Sequence, residues 1–523
     1  MDNNKKAPAK KTKKVIKPIV AASALKRLLT IVIVLVLLIA VGGFFAFRAG
    51  VPAMVLTGAE FEVTSENGDS RVLERVKVNE LNFQFANMLN QLAQYGQIDP
   101  EADLDSKISI GDTEKTIREY AYELTCQTMI RSIQIGKEAK KDKTFKAEGV
   151  ERSVNLSVEQ LRENVDFYSS MHGQVITPDE YLSNIYGPGT TVSAYAKFLE
   201  RQMIVDEYLQ YLEQFVFAPS AEEMSSVTEE TAPDAALVTF RFYSFFADYA
   251  DDATEEVKTA ALNEAKNKAN VLITRVTDEQ SFRDVSEDMA IEADKPNFAD
   301  GQDPTLAKDM SYDSISQYVN PEMAEYLYSE DRAEGDKTVI ETERGAMAVY
   351  FVSRSMDTHP SISYREIRLN YTMDYDAEGK ATPNNKEEIN AKAEKIIGMI
   401  TDDQSVFSLA KRYSDDYAGT VNGGLVTDYD PDSAFTEETV SEYDRSLLSW
   451  LTMPERKAGD TVILESADSA RIIYFVDSIP AWKANLRRKT INEKYSEWLK
   501  GLEAEGEVTY TIKYGNIELA SAR

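Results

Sequence analysis

Two histidines, one cysteine and a large excess of carboxylates set the chemistry open to this 523-residue chain. A Ser-His-Asp or Cys-His hydrolytic site would have to use His172 or His359, and no nucleophile motif accompanies either. Metal sites built on His or Cys lack ligands, because Cys126 is the only cysteine. The same count rules out an intrachain disulfide, although an export compartment would permit one. Two acidic runs begin like calcium loops. Asp428-Tyr-Asp430-Pro-Asp432 places Ser433 where such a loop needs its turn-forming Gly, and Thr439 where it needs a bidentate Glu. Asp374-Tyr-Asp376-Ala-Glu378-Gly379 keeps the Gly but reaches Asn385 at the last ligand position. Both read as solvated acidic loops. No Gly-rich phosphate cradle is present. The residues call for no metal and no cofactor.

The elements that must position any site repeat. Lys268 to Ser281 matches Lys392 to Ser405, Gly335-Asp336 matches Gly459-Asp460, and Tyr350-Phe351-Val352 matches Tyr474-Phe475-Val476. The differences 392−268, 459−335 and 474−350 all equal 124. A solenoid unit is about 20–50 residues, so this period means two tandem domains of ordinary size. They are placed at 237–356 and 361–480. Each reads as a strand (Val238–Phe246; Ser363–Tyr371), a helix (Val257–Val276; Lys386–Ile400) and further helix (Phe407–Tyr413 in the second copy). A Gly-Asp turn and two closing strands follow: Thr338–Glu341 and Ala346–Arg354, then Thr461–Leu464 and Arg471–Ser478. That order predicts an antiparallel α+β domain.

Ahead of the repeats, apolar stripes at Leu81, Phe85, Met88, Leu92 and Tyr95, and at Tyr122, Cys126, Met129, Ile130 and Ile133, predict amphipathic helices. Cys126 lies within its stripe and reads as a small buried apolar residue. Ser157 with Gln160 predicts a helix start, and Thr177-Pro178-Asp179-Glu180 another, stopped at Gly187-Pro188-Gly189. A long helix is expected from Val192 to Phe217. Residues 77–218 are therefore expected to be an all-α domain of roughly five helices, preceded by a connector at 49–76 and followed by a polar linker at 219–236. After the repeats, 481–523 reads as one helix with a stripe of Ile491, Tyr495, Trp498 and Leu502, then an alternating strand of Val508, Tyr510, Ile512 and Tyr514. A lone amphipathic helix needs a partner face, and the helical domain is the expected one.

Residues 28–47 carry no charge, and twenty helical residues span about 30 Å, the thickness of a bilayer core. Nine Lys/Arg and one acid, Asp2, precede them. The expectation is a cytoplasmic tail at 1–27, a transmembrane helix at 28–48 and the remainder outside the cytoplasm. A cleaved signal peptide would carry a shorter apolar run and a small-residue cleavage site. Beyond residue 27 the chain holds 49 basic and 87 acidic residues, a net of −38. Such a surface repels nucleic acid and resists self-association; it either serves solubility alone or favours cationic unfolded polypeptides.

The run Phe407-Ser408-Leu409-Ala410-Lys411-Arg412-Tyr413-Ser414-Asp415-Asp416 resembles the signature of parvulin-type peptidyl-prolyl isomerases. Gly423-Gly424-Leu425 resembles their Gly-Gly-Asp-Leu loop without its Asp, and Lys457-Ala458-Gly459-Asp460 their Thr-Gly-Glu turn. The layout resembles SurA-like and PrsA-type extracytoplasmic foldases, with a helical chaperone region, parvulin domains and a returning C-terminal helix. The resemblance implies a membrane-anchored chaperone for unfolded or nascent exported polypeptides. The family's two active-site histidines are replaced: Glu366 and Arg471 stand at those positions in repeat two, Phe242 and Met347 in repeat one. Asp416 matches the central Cys or Asp. Tyr443 and Leu448 stand in for pocket aromatics, and Phe83, Phe85 and Met88 are candidates for a client-facing wall. Two readings stay open for repeat two. Glu366, Asp416 and Arg471 form a substitute isomerase cluster, or both repeats keep only a peptide cleft. A third possibility is a non-catalytic membrane scaffold.

Overall fold

The structure, a computed structural model, describes residues 48–65, 67–111, 113–431, 441–504 and 506–521. The expected basic tail and membrane segment, 1–48, lie outside these residues except for Arg48. Among the described residues no helix is long and apolar enough to cross a membrane. The chain mixes helices with antiparallel sheets and divides into two compact units.

The first unit takes residues up to 144, then 151–205 and 502 onward. Its sheet has three antiparallel strands in the order Glu507–Ile512, Thr57–Thr64, Ser70–Lys77. Ala59, Phe61 and Val63 alternate onto the buried face, as period two requires. Ala59 and Phe61 share a core with Leu81 and Phe85 of the helix Val78–Gln94 and Tyr122, Cys126, Met129 and Ile133 of the helix Ile117–Lys141. Tyr95, at the end of the first expected stripe, is exposed. Thr116 and Glu119 cap the second helix reciprocally.

The region expected to be all helical contains a hairpin. Lys107–Ile110 pairs with Thr113–Thr116 around Gly111, whose φ of 57° is the left-handed conformation that glycine adopts cheaply. The β-branched residues Ile108, Ile110, Thr113 and Thr116 supply the strand preference that a helical reading overlooks. The helix expected to open near Ser157 begins at Val150. Thr177 and Glu180 form the capping box read from sequence, and Gly187 ends that helix at φ 94°. The long helix runs over Val192–Tyr211 and continues as one π-helical turn, Leu212–Phe217.

The C-terminal segment adds a strand and a short helix to the first unit. The strand Glu507–Ile512 pairs with Thr57–Thr64, Phe61 facing Tyr510, and the helix Tyr514–Ser521 adds Ile517 and Ala520 to that core. The amphipathic helix Ala481–Ala504 lays Tyr495 and Trp498 against Phe217, with Trp498 edge-on to Tyr208, and both partners lie in the region 77–218 where its partner face was expected.

The second unit, 145–150 and 206–501, carries the repeat. Each copy is a four-stranded antiparallel sheet of one topology. The order is Leu306–Met310, Leu237–Phe246, Gly345–Ser355, Lys337–Thr342 in repeat one, and Leu425–Tyr429, Pro360–Asn370, Ser469–Pro480, Thr461–Glu465 in repeat two. Register follows the sequence offset: Arg241 faces Tyr350, and Arg365 faces Tyr474. Helices cover both faces. In repeat two, Ala393, Ile396, Leu409 and Ala410 pack on Ile367 and Ile472, while Leu447 and Trp450 pack on Ile362 and Phe475 across the sheet. The outer strand was not foreseen, because it breaks the offset: Leu306 pairs with Arg241 and Leu425 with Arg365, and 425−306 is 119. Each of these strands bulges at an aspartate with positive φ, Asp309 at 50° and Asp428 at 55°.

Several side-chain devices also repeat. Arg241 binds Glu279 in one copy and Arg365 binds Asp403 in the other, both from inside the fold. Arg332 lies over Tyr326 at 4.0 Å and Arg456 over Trp450 at 3.9 Å. The Gly-Asp turns make the same pair of bonds, Gly335 donating to Phe351 and Gly459 to Phe475. The stretch 219–236, expected as a linker, holds a short helix Ala221–Ser226 whose Met224 is buried.

Candidate functional site

In repeat two, strand register fixes the candidate cluster. Glu366 lies opposite Ile473, so Arg471 sits two residues away on the same sheet face. The helix Glu442–Leu451, capped by Ser441 and Asp444, brings Tyr443 over that face. Arg471 Nη1 donates to Glu366 Oε1 at 2.9 Å, and the Tyr443 hydroxyl donates to Glu366 Oε2 at 2.7 Å. The guanidinium lies 4.1 Å from the centre of the Tyr443 ring, and Arg471 Nε reaches Ser469 Oγ at 3.3 Å. Both carboxylate oxygens are engaged. Burial first, and then the Glu366 carboxylate, hold the Tyr443 hydroxyl well above its ordinary pKa, so it remains a proton donor. Burial opposes the charge on Arg471, but Glu366 and Tyr443 outweigh it and its pKa rises.

Asp416 has another task. It caps the short helix Tyr417–Asn422, its Oδ2 accepting from Gly419 N at 3.2 Å. No hydrogen bond or ion pair joins it to Glu366, Arg471 or Tyr443 among the described residues. The double glycine is structural: Glu366 N donates to Gly424 O at 2.8 Å, and a Cβ on Gly424 would stand 2.2 Å from Glu366 O. Leu448 is half-buried and off the inward stripe, which runs Tyr443, Leu447, Trp450, Leu451.

The expected client-facing wall is instead interior. Phe83 is fully buried among Tyr186, Tyr195 and Phe198. Phe85 stacks on Tyr122 at 4.0 Å, and Met88 packs against the same core. Helical spacing finds a buried face, and here it found the core. Apolar residues that the first unit does expose include Phe167, Met171 and Val175, at the end of the helix Val150–His172 and just past it.

No protein-family model matches the chain. No curated protein matches it. Among solved structures, it is similar to the crystal structure of foldase protein PrsA from Streptococcus pneumoniae str. Canada MDR_19A, at 13% identity over 81% of this chain and 95% of that one. The TM-score is 0.15, too low for the likeness to bear on fold or function.

Repeat one lacks the polar cluster. At the positions 124 residues earlier stand Phe242, Val319 and Met347, all apolar. His172 bonds to the Tyr168 carbonyl, and His359, just before the strand Pro360–Asn370, bonds to Asp357; neither is bonded to the Glu366 cluster. Among the described residues, then, the sheet face of repeat two presents a neutralised Glu–Arg–Tyr group, and that of repeat one presents hydrocarbon.

Proposed function

We propose that this chain is a membrane-anchored, extracytoplasmic chaperone that holds unfolded exported polypeptides, with two parvulin-like domains that bind chains without isomerising them. The observation that carries this reading is the engagement of both Glu366 oxygens by Arg471 and Tyr443. Rotation about an X–Pro bond must overcome about 18–20 kcal/mol of amide resonance. Lowering that barrier takes polar groups free to meet the twisted amide, and these groups already satisfy one another. The parvulin-like signature around Phe407 to Asp416, the uncharged run 28–47 behind a basic tail, and the acidic remainder of the chain support the placement. The anchor keeps the chaperone where clients emerge.

Prolyl exchange measured by NMR on X–Pro peptides, with the full chain in detergent, is expected to remain at the uncatalysed scale of roughly tens to hundreds of seconds. A stoichiometric amount of the chain is expected to suppress aggregation of an unfolded client. Accelerated exchange that disappears in Asp416→Ala or Arg471→Met would replace holding by isomerisation in repeat two. Stoichiometric capture of one folded partner, with no effect on aggregation, would make the chain a scaffold.

A further inference from the structure

Repeat one has an open cleft where repeat two has its ion pair. It measures about 580 Å³ and is lined by Phe242, Phe246, Tyr318, Val319 and Met347, with Ser244 and Asn320 beside them. Sites that enclose small ligands or side chains span about 300–1,000 Å³. By the constant offset, Phe242, Val319 and Met347 replace Glu366, Tyr443 and Arg471. The three side chains that neutralise one another in repeat two have become apolar together, leaving the space unfilled by any polar network. Phe246 and Tyr318 are each 76% exposed at its mouth. Two large aromatic groups left in water at one cleft, in a domain with well-buried cores on both sheet faces, are what a recognition surface requires.

Charge names the occupant. Glu341 and Glu343 line the cleft beside Arg344, and Glu341 is paired with Lys266, so Glu343 and the neighbouring turn carry the acidic excess of the rim. Asp248, Asp251 and Asp252 follow the strand that carries Phe246, and Ala247 N is bonded to the Arg344 carbonyl, so this acidic turn starts at the same end of the sheet. Residues 237–356 hold 25 acidic and 12 basic side chains, a net of −13.

Resting on the chaperone reading above, we infer that repeat one binds an extended polypeptide segment through a bulky apolar or aromatic side chain flanked by Lys or Arg, with no requirement for proline. The hydrocarbon lining takes the side chain. The acidic rim draws the flanking cations and disfavours acidic segments. Proline carries no advantage, because the positions of the repeat-two cluster hold Phe242, Val319 and Met347, whose side chains cannot hydrogen-bond its amide.

The test uses the full chain and fluorescein-labelled nonapeptides read by anisotropy. The probes carry a central Phe flanked by Lys, the same peptide with Pro replacing Phe, and one with Glu replacing every Lys. The Phe–Lys peptide should bind about tenfold or more tightly than either of the others. The double variant Phe246→Ser/Tyr318→Ser removes exposed side chains and leaves the core intact, so it should fold. It should lose about tenfold or more in affinity for that peptide. Phe242→Glu is a second variant for the same cleft. Its circular dichroism should match the wild type while affinity falls. Equal affinity for all three peptides, preference for the Pro peptide, or unchanged affinity in the double variant would overturn the inference. Aggregation suppression distinguishes the two readings. If it persists while these peptide results fail, only the assignment to repeat one falls. If it is absent as well, the chaperone reading falls with it.

Discussion

Glu366, Arg471 and Tyr443 form one coupled unit. Glu366 and Arg471 side chains are 17% and 20% exposed, so each loses much of its hydration and depends on its partners. Arg471→Met would leave the Glu366 carboxylate with only the Tyr443 hydroxyl. We expect a loss of about 1–3 kcal/mol in repeat two, read from its urea midpoint. Tyr443→Phe should cost a similar amount, about 1.5–3 kcal/mol, because its bond is to a charged group. The double variant should cost clearly less than the sum of the two. Strict additivity would show that the three side chains do not act together. The residue types here were legible in the sequence, but their pairing was not. Asp416, grouped with them by motif position, serves as a helix cap, and only strand register puts Arg471 two residues from the point opposite Glu366.

At the scale of elements, caps and stripes carried most of the information. The box between Thr177 and Glu180 was readable because a Ser/Thr followed three residues later by Glu satisfies two free backbone donors. Glu180 accepts from Thr177 N at 2.9 Å and from its hydroxyl at 2.8 Å. The backbone bond first, then the hydroxyl, hold its pKa below the ordinary 4.5. A carboxylate with a depressed folded-state pKa contributes stability that is present above 4.5 and lost as pH falls through the lowered value. Wild type should therefore be more stable than Glu180→Gln at neutral pH, and the gap should close on acidification below 4.5. A gap constant down to strongly acidic pH would mean that the cap acts without its charge. The stripes were equally legible but gave burial, not exposure. This is why Phe83 and Phe85, chosen as a client surface, are core residues. The buried pair Lys411–Glu207, at 3.6 Å, ties the helix Asp403–Tyr413 to the C-terminal end of the helix Val192–Tyr211, and no local pattern in the sequence marks it.

At the scale of the whole molecule, the chain closes on itself through its last strand. Removing residues 502–523 would take Glu507–Ile512 from the sheet and Ile517 and Ala520 from the core beneath it. The strand Thr57–Thr64 would then become an unprotected edge. Denaturant unfolding of the truncated chain should show an early transition reported by the first unit, with the transition of the second unit unchanged. A single unaltered transition would mean that the C-terminal strand adds nothing to the N-terminal core. Such separation is expected for a chain with several cores, which need not unfold in one step.

The sequence by itself determined the repeat, its α+β character and its offset, because register, turns and buried arginines recur at fixed separation in any two copies of one domain. It also determined the start and stop of the helix Pro178–Tyr186, because caps are local. Tertiary structure alone decided what no local rule encodes. It made Glu366 a neutralised carboxylate, and it left Phe246 and Tyr318 in water beside Met347. It also set the C-terminal strand Glu507–Ile512 against Thr57–Thr64. Each of these depends on which faces meet across long sequence separations. Hydrophobic periodicity says that a face must be covered, and only packing says by what.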